Sequence, residues 1–298
     1  MRDLTTVQYW DAQYVSGVRR PAAAHQESRA PRGVWRLWPL SPLRRWVLPY
    51  LRPYYETVLW DHFYPRFLSR AAGLKAVEVG SAPGTFLVDL ARRFSVDPYG
   101  IEYAPAGVAM NREVFRQHGV PADHLIDEDF FSDRLHARYR ESFDIVVSRG
   151  FIEHFDDPRD AVERHLNLLK PGGTLIVEIP NLRGLNYAIQ RLLDRRLLEV
   201  HNLSIMDRRV FRALFDDARL EQRFCDYLGG FTFNLFNVNT RPRRLALLRA
   251  CHWAQLPLNV VFHLALRGRL GAHRWTSPSL AYVGVKRRTT SESSPRVQ

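Results

Sequence analysis

The stretch Val77-Glu78-Val79-Gly80-Ser81-Ala82-Pro83-Gly84 joins a short apolar strand to a turn that contains two glycines. Glycine has no Cβ, so the backbone at Gly80 and Gly84 can turn sharply and lie directly against a ligand. In an open α/β sheet, ligands bind beyond the carboxyl ends of the strands. The glycine spacing differs from the Gly-x-Gly-x-x-Gly pattern of dinucleotide sites and therefore disfavours a nicotinamide cofactor.

Strands and helices alternate along the chain that follows, from Lys75 to about Pro180. The pattern predicts strands at 76–79, 98–102, 125–126, 143–148 and 174–179, and helices at 84–94, 105–118 and 158–169. The last of these helices ends at Lys170-Pro171-Gly172-Gly173, a strong stop signal. Because the strands are uninterrupted apolar runs, we expect an α/β fold whose parallel sheet is covered on both faces.

The flanking regions are less regular. We expect helices at about 6–15 and 54–72, a loop at 19–32, a helix from Asp207 to Ala218, strand-like residues from Glu221 to Phe236 and a strand at 279–285. These patterns predict an N-terminal helical cap (1–72), a main domain (73–286) with a helical insertion at about 240–275, and a disordered tail (287–298).

Polar side chains stand where the next strands end. The second strand ends at Glu102, about 20 residues beyond the glycine turn, where a carboxylate can bind a ribose diol. The third strand ends near Asp129 and Phe130, a carboxylate and an aromatic face suited to a purine, and the fourth ends at Ser148-Arg149. Each signal is weak alone, but together they predict a nucleoside site along one edge of the sheet.

With these pieces in place, the segment 76–180 resembles the class I, Rossmann-like S-adenosylmethionine (SAM)-dependent methyltransferases. The resemblance rests on Glu78–Gly84, Tyr99–Tyr103, Asp129-Phe130, Phe143–Ser148, Ile152–Pro158 and Leu168–Gly173. The pair Glu-His-x-x-Asp-Pro and Leu-Lys-Pro-Gly-Gly is typical of the bacterial small-molecule and quinone-type branch. Tyr9-Trp10-Asp11, and Pro180-Asn181 followed by His201-Asn202-Leu203, resemble bacterial members that are associated with glycan or natural-product clusters. The resemblance implies a mostly parallel seven-stranded sheet with helices on both faces, helical caps at both ends, and SAM as cofactor.

Carried over by position, the resemblance assigns roles to individual residues. Glu78, Gly80, Ser81, Ala82 and Gly84 would line the methionine part of SAM, with Ser148 and Arg149 beside its end. Glu102 would hold the ribose hydroxyls, Asp129 would accept from the adenine amino group, and Phe130 or Tyr103 would lie against the ring. Ala82 stands where the family usually has glycine, and a small residue still fits there.

A hydroxyl acceptor must also lose its proton, usually to histidine or a carboxylate. The candidate bases are His154, His201 and Glu153. For His154 we favour the alternative that it packs the turn before a helix, and His201 could instead be a loop residue bonded to the backbone, so both alternatives stay open.

Charge and composition bear on partners. The net charge is +12, and most of the basic residues are arginine. This composition suits an anionic partner, or it reflects a GC-rich genome that encodes arginine in place of lysine. The two cysteines have no metal-ligand spacing, and no metal site is predicted. No apolar leader begins the chain, so we expect a cytoplasmic protein. The segments 34–48 and 243–269 mix apolar residues with arginine, which predicts either peripheral contact with the inner face of the membrane or helices packed on the core.

The sequence therefore favours a methyltransferase that acts on a small-molecule, glycan or lipid-linked acceptor, most simply at oxygen. A nucleic-acid (RNA) methyltransferase is the alternative that the charge suggests, but the motifs for base amino groups and for pyrimidine C5 are absent. A non-catalytic SAM-binding scaffold is the third reading. The oligomeric state is left open.

Overall fold

The computed structural model describes residues 3–15, 50–238 and 242–288. The loop expected at 19–32, the Trp- and Arg-rich segment 34–48 and the tail beyond residue 288 lie outside these residues. Within them, no helix is both long and apolar enough to cross a membrane.

A seven-stranded sheet forms the centre of the molecule, in the order β3-β2-β1-β4-β5-β7-β6. Its strands are β1 (Lys75–Val79), β2 (Asp97–Glu102), β3 (Leu125–Asp127), β4 (Phe143–Arg149), β5 (Leu169–Pro180), β6 (Leu220–Leu228) and β7 (Ser279–Lys286). The first five strands pair in parallel, and β7 is antiparallel to both of its neighbours. The predicted mostly parallel seven-stranded sheet is confirmed. Since β1 lies between β2 and β4, the strand order reverses there, and ligands bind beside such a point.

Helices and short turns connect the strands. The helices are α1 (Val7–Val15), α2 (Tyr54–Thr57), α3 (Tyr64–Phe67), α4 (Thr85–Phe94), α5 (Pro105–Gln117), α6 (Asp133–Tyr139), α7 (Arg159–Leu168), α8 (Leu185–Asp194), α9 (Arg196–Glu199), α10 (Arg208–Ala213) and α11 (Pro242–Leu266). A π-helical turn (Val58–Phe63) joins α2 to α3, and 3₁₀ turns lie at Ala122–His124, Ile152–His154, Leu203–Met206 and Phe233–Leu235.

Both faces of the sheet are covered because successive strand residues point to opposite sides. Val77 and Val79 pack on one face with α7, whose residues Val162 and Leu166 are buried. Ala76 precedes Val77 in β1 and points to the opposite face, where it packs with Trp60 and other residues of the α2–α3 region. The helix after Pro53 is thus part of the core, while the domain boundary at residue 72 remains a prediction.

Several predicted bounds are wrong. The helix expected to reach Ala72 ends at Phe67, because Leu68 is extended and Gly73 turns with φ of +84°. The strand expected to reach Phe236 ends at Leu228, where Gly229 turns with φ of +80°. Asp207 does cap α10, accepting from the Arg209 N–H at 2.9 Å, but this helix ends at Ala213 and not at Ala218.

Three helices of the described chain, α6, α8 and α9, were not predicted. In α6 only one side chain, Leu135, is buried, so its seven residues carry no apolar period. The long helix α11 lies inside the helical insertion expected at about 240–275.

Candidate active site

Two cavities adjoin at the carboxyl ends of the parallel strands. The smaller has a volume of about 90 Å³ and the larger about 190 Å³. Trp10, Gly150 and His154 line both cavities. Because Gly150 directly follows β4, the junction lies beside the point where the strand order reverses.

The glycine turn after β1 forms one wall of the smaller cavity. Gly80 has φ of +70°, and a Cβ there would lie 3.3 Å from the Phe151 ring. Gly84 has φ of +92°, and a Cβ there would overlap Oδ1 of the buried Asn111 on α5. Gly80 therefore allows a close approach to the cavity, while Gly84 allows the turn to pack against α5.

Glu102 lies at the end of β2 and lines the smaller cavity. Its carboxylate accepts from the N–H groups of Tyr103 and Ala104 at 3.0 Å and from the N–H of Ala82 at 3.2 Å. The side chain is almost fully buried. These bonds hold an acceptor-only group between the second strand and the glycine turn.

The residues after β3 and β2 complete this cavity. Asp129 is exposed and accepts from the Phe131 N–H at 2.9 Å, and Phe130 is buried against Phe151 with ring centroids 5.3 Å apart. Burial, together with the nearby carboxylates of Asp3 and Glu102, raises the pKa of Tyr103, so its hydroxyl stays protonated. The cavity thus combines carboxylates with an aromatic wall.

The structure separates the predicted cofactor residues into two groups. Gly80, Glu102, Tyr103, Asp129 and Phe130 line the smaller cavity. The others do not line it: Glu78, Ser81, Ala82, Gly84, Ser148 and Arg149. Ser81 and Ala82 instead shape the turn from behind, Ser81 by accepting from Asn111 and Ala82 by packing against Trp10. Ser148 is fully buried.

Arg149 lines the larger cavity, where it is paired with Glu178 of β5. Arg149 Nε lies 3.1 Å from Glu178 Oε2, and the guanidinium carbon lies 4.4 Å from the centre of the Phe86 ring. Tyr55 donates to the same carboxylate. On the same wall, burial raises the pKa of Glu56 to about 7. Sequence reasoning placed Arg149 beside the cofactor and missed its acidic partner, which comes from a different strand.

Helix α1 contributes a wall that sequence reasoning did not assign. Trp10 lies edge-on to His154, with ring centroids 4.8 Å apart, and Tyr14 donates to Glu102 Oε2 at 3.4 Å. Asp11 accepts from the Ala106 N–H at 2.9 Å, in the first turn of α5. The motif Tyr9-Trp10-Asp11 was the available signal, because it places two aromatic rings and a carboxylate next to one another.

The three candidate bases meet at the larger cavity. Nδ1 of His154 donates to the Val200 carbonyl at 2.7 Å, and Nδ1 of His201 donates to the Leu197 carbonyl. Their ring centroids are 4.7 Å apart, and His154 Nε2 lies 3.7 Å from Glu153 Oε1. The backbone bond considered as an alternative for His201 is present, yet His201 lines the cavity as well.

Comparison with known proteins agrees with this geometry. The family described as methyltransferase domain matches residues 52–226, which is more than half of the chain. The protein belongs to this family, the class I SAM-dependent methyltransferases, and SAM is the cofactor of the family.

Among individual proteins, the chain is similar to the ubiquinone biosynthesis O-methyltransferase of Chelativorans sp. (strain BNC1). The two are 30% identical over 177 residues, which cover 58% of this chain and 65% of the relative. The enzyme of the same name from Xanthomonas axonopodis pv. citri is 29% identical over 118 residues, covering 40% of this chain and 48% of the relative. The chain thus spans about half to just under two thirds of the length of these relatives.

Solved structures share the fold. Geranyl diphosphate C-methyltransferase from Streptomyces coelicolor A3(2) superposes with a TM-score of 0.51 at 14% identity, covering 78% of this chain and 79% of that one. A methyltransferase from Bacillus halodurans C-125 gives 0.50 at 14% identity, covering 75% and 97%. At these identities the likeness concerns the fold alone.

Proposed function

We propose that the protein transfers a methyl group from SAM to an oxygen atom of a small-molecule, glycan or lipid-linked acceptor. The observation that carries this proposal is the junction of the two cavities at His154. The smaller cavity has the groups that a nucleoside needs, and the larger one holds the candidate bases. A methyl donor and an acceptor can therefore meet at one shared wall.

The residues of the smaller cavity fit the cofactor. Because Gly80 has no Cβ, its backbone would contact the cofactor directly. Glu102 would hold the ribose hydroxyls of SAM, and Asp129 would accept from its adenine amino group. Phe130 and Tyr103 would lie beside the ring. When bound, SAM supplies a methyl group on a cationic sulfur that a nucleophile attacks in line. Glu78, Ser81, Ala82, Gly84 and Ser148 would act by shaping the turn.

The larger cavity would bind the acceptor and receive its proton. A histidine whose Nδ1–H donates to a carbonyl carries its lone pair on Nε2 when neutral. This tautomer is fixed at both His154 and His201 by their backbone bonds. Trp10 and Leu235 contribute apolar surface that would exclude water from the reacting oxygen. The relatives' common name, ubiquinone biosynthesis O-methyltransferase, supports oxygen as the acceptor atom.

A lipid-linked or otherwise hydrophobic acceptor is favoured by the outer face of α11. Its residues Leu247, Trp253, Val261 and Leu264 are each more than half exposed. At 3.6 residues per turn they lie on about one third of the helix circumference. The opposite side is buried, through Leu248, Gln255 and Asn259. We propose that this face, within the segment 243–269, rests on a membrane surface.

The positive charge around α11 supports contact with an anionic membrane surface. Arginines at 243, 249, 267, 269 and 274 are exposed, and the sequence has no aspartate or glutamate from residue 227 to residue 291. Basic residues that flank an apolar helix face stabilise it at an anionic membrane.

The test is incubation of the purified protein with methyl-labelled SAM and separate acceptors: lipophilic polyphenols, glycans and total RNA. We expect label in an alkali-stable methyl ether of a polyphenol or glycan, and none in RNA. As a control, Glu102→Gln should lower transfer at least tenfold without unfolding the protein. Label in RNA alone, or no transfer to any acceptor, would contradict the proposal.

RNA is the less favoured acceptor because carboxyl groups line the larger cavity and its arginine is already paired. Glu56, Glu153 and Glu178 line it, and Arg149 is paired with one of them. A phosphate backbone binds to unpaired cationic groups, so the net charge of +12 is better explained by the outer surface.

A further inference from the structure

We propose that Glu153, His154 and His201 bind one divalent transition-metal cation of the zinc type at the wall of the larger cavity. One ligand atom from each of the three lies within 4.8 Å of the others. Glu153 and His154 are 1% and 3% exposed, so the cluster is built into the fold and not scattered on its surface. Binding of the cation does not depend on the proposed function; only the role of the cation in methyl transfer rests on it.

The distances are near those of a metal site. Ligands about 2.0–2.1 Å from a tetrahedral Zn²⁺ are about 3.4 Å apart. Glu153 Oε1 and His154 Nε2 are 3.7 Å apart. The ligand atom of His201 lies within 4.8 Å of these two, so it would move inward when the cation binds.

The surroundings orient both imidazoles as they are oriented in metal sites. A metal-bound histidine almost always donates its other ring N–H to a carbonyl, a carboxylate or water, which fixes the tautomer. Here both Nδ1 atoms donate to backbone carbonyls, of Val200 and Leu197. Each Nε2 can then act as the ligand. This pattern occurs twice in one cluster and is independent of the distances between the ligand atoms.

The segment that carries His201 is held against the other two ligands. The Asn202 N–H donates to the Glu153 carbonyl at 2.6 Å, and the Asn202 side chain donates to the carbonyls of Phe155 and Asp156 at 3.0 and 2.9 Å. These bonds fix the distance between the Ile152–His154 turn and the 197–202 segment. The cluster is therefore preorganised.

The ligand set selects the kind of cation. Two imidazoles and one carboxylate form one of the ligand sets of catalytic zinc sites, which keep a fourth position open, and non-haem Fe(II) uses the same set. Mg²⁺ prefers oxygen ligands and water, so the two nitrogen ligands disfavour it. The open position would face the larger cavity, which all three residues line.

A cation at this site would restrict the acceptor to molecules whose oxygen atoms can bind a metal. A divalent metal lowers the pKa of a hydroxyl that binds to it. With the cation bound, the Nε2 atoms of His154 and His201 would be its ligands and would no longer act as bases. The acceptor oxygen would therefore lose its proton to solvent, and its O–CH₃ bond would form as the S–CH₃ bond of SAM breaks. The products are the methyl ether, S-adenosylhomocysteine and one proton. A phenol or a vicinal diol, whose oxygens can ligate the metal, is the acceptor that fits.

The experiment measures metal binding directly. Chelator-treated full-length protein is titrated with Zn²⁺ by calorimetry, and Co²⁺ is added separately to record its visible absorption. We expect one Zn²⁺ per chain and a tetrahedral Co²⁺ spectrum. His154→Ala and His201→Ala should each weaken Zn²⁺ binding by about 10-fold or more. His118→Ala, at an exposed site on the chain, should bind as wild type does.

One outcome would overturn the metal site, and a second would overturn only its role in catalysis. One is wild-type protein that binds Zn²⁺ no more tightly than the double variant His154→Ala/His201→Ala, with both shown to be folded by circular dichroism. The other is methyl transfer that proceeds at the same rate in chelator-treated protein as in the zinc-loaded protein. Calorimetry with SAM on the metal-free protein separates the two proposals. SAM binding without Zn²⁺ binding would contradict the metal site and leave the proposed function standing. Zn²⁺ binding without SAM binding would contradict the proposed function and leave the metal site standing.

Discussion

The glycine turn after β1 shows what a single residue position can and cannot disclose. The residue types predicted that Gly80 and Glu102 face a ligand, and the structure places both at the smaller cavity. The same motif also suggested Ser81, Ala82 and Gly84, which lie behind the wall. The side of the turn that faces the cavity is determined by the dihedral angles of the turn and by α5, which packs behind it. The spacing of residues in the sequence does not predict either of these.

Gly84→Ala should destabilise the protein more than a glycine replacement at an ordinary positive-φ position. An alanine at φ of +92° costs about 1–2 kcal/mol for its left-handed backbone, and its Cβ would also overlap the Asn111 side chain. We expect a loss of about 3 kcal/mol in the free energy of unfolding, measured with urea.

Gly119→Ala is the matched control for this measurement. Gly119 has φ of +70°, but a Cβ there would have no atom within 4 Å. It should show only the backbone cost of about 1–2 kcal/mol. Equal losses for the two variants would mean that packing against α5 does not require glycine at position 84.

Elements at the two ends of the chain differ in how far the sequence described them. The helix near residues 6–15 was predicted, and so was a helical insertion at about 240–275. Their contacts with the rest of the molecule were not, because Trp10 meets His154 and Tyr14 meets Glu102 across long sequence separations. The helix α6 escaped prediction for a local reason, since a seven-residue helix with one buried side chain has no period to detect.

The outer face of α11 can be tested on vesicles. Sedimentation with phosphatidylserine-containing vesicles should carry the protein down, and neutral phosphatidylcholine vesicles should carry down much less, because the flanking arginines need anionic headgroups. The double variant Trp253→Ser/Leu264→Ser should lower the bound fraction at least fivefold, since both side chains are more than half exposed and their loss does not open the core.

Val210→Ser/Leu192→Ser controls for a general loss of surface hydrophobicity, because these exposed residues lie on α10 and α8. Unchanged sedimentation of the α11 variant, or equal sedimentation on neutral and anionic vesicles, would exclude the α11 face as a membrane contact.

For the molecule as a whole, the sheet was predictable from the sequence and the larger cavity was not. Apolar strands and their end residues specify the sheet and one edge of the smaller cavity, since both depend on local patterns. The larger cavity is assembled from α1, the α2 region, β5, the 197–202 segment and the turn after β6. His154 and His201 meet only in three dimensions, so neither their contact nor a metal site could be read from spacing.

The central claim is that the smaller cavity is a SAM site organised by Glu102, and calorimetric titration of the protein with SAM tests it most directly. We predict one SAM per wild-type chain, at least tenfold weaker binding to the shape-preserving variant Glu102→Gln, and unchanged binding to Glu113→Ala, an exposed carboxylate on α5. Binding to folded Glu102→Gln as tight as to wild type, or no SAM binding by the wild-type protein, would contradict the claim.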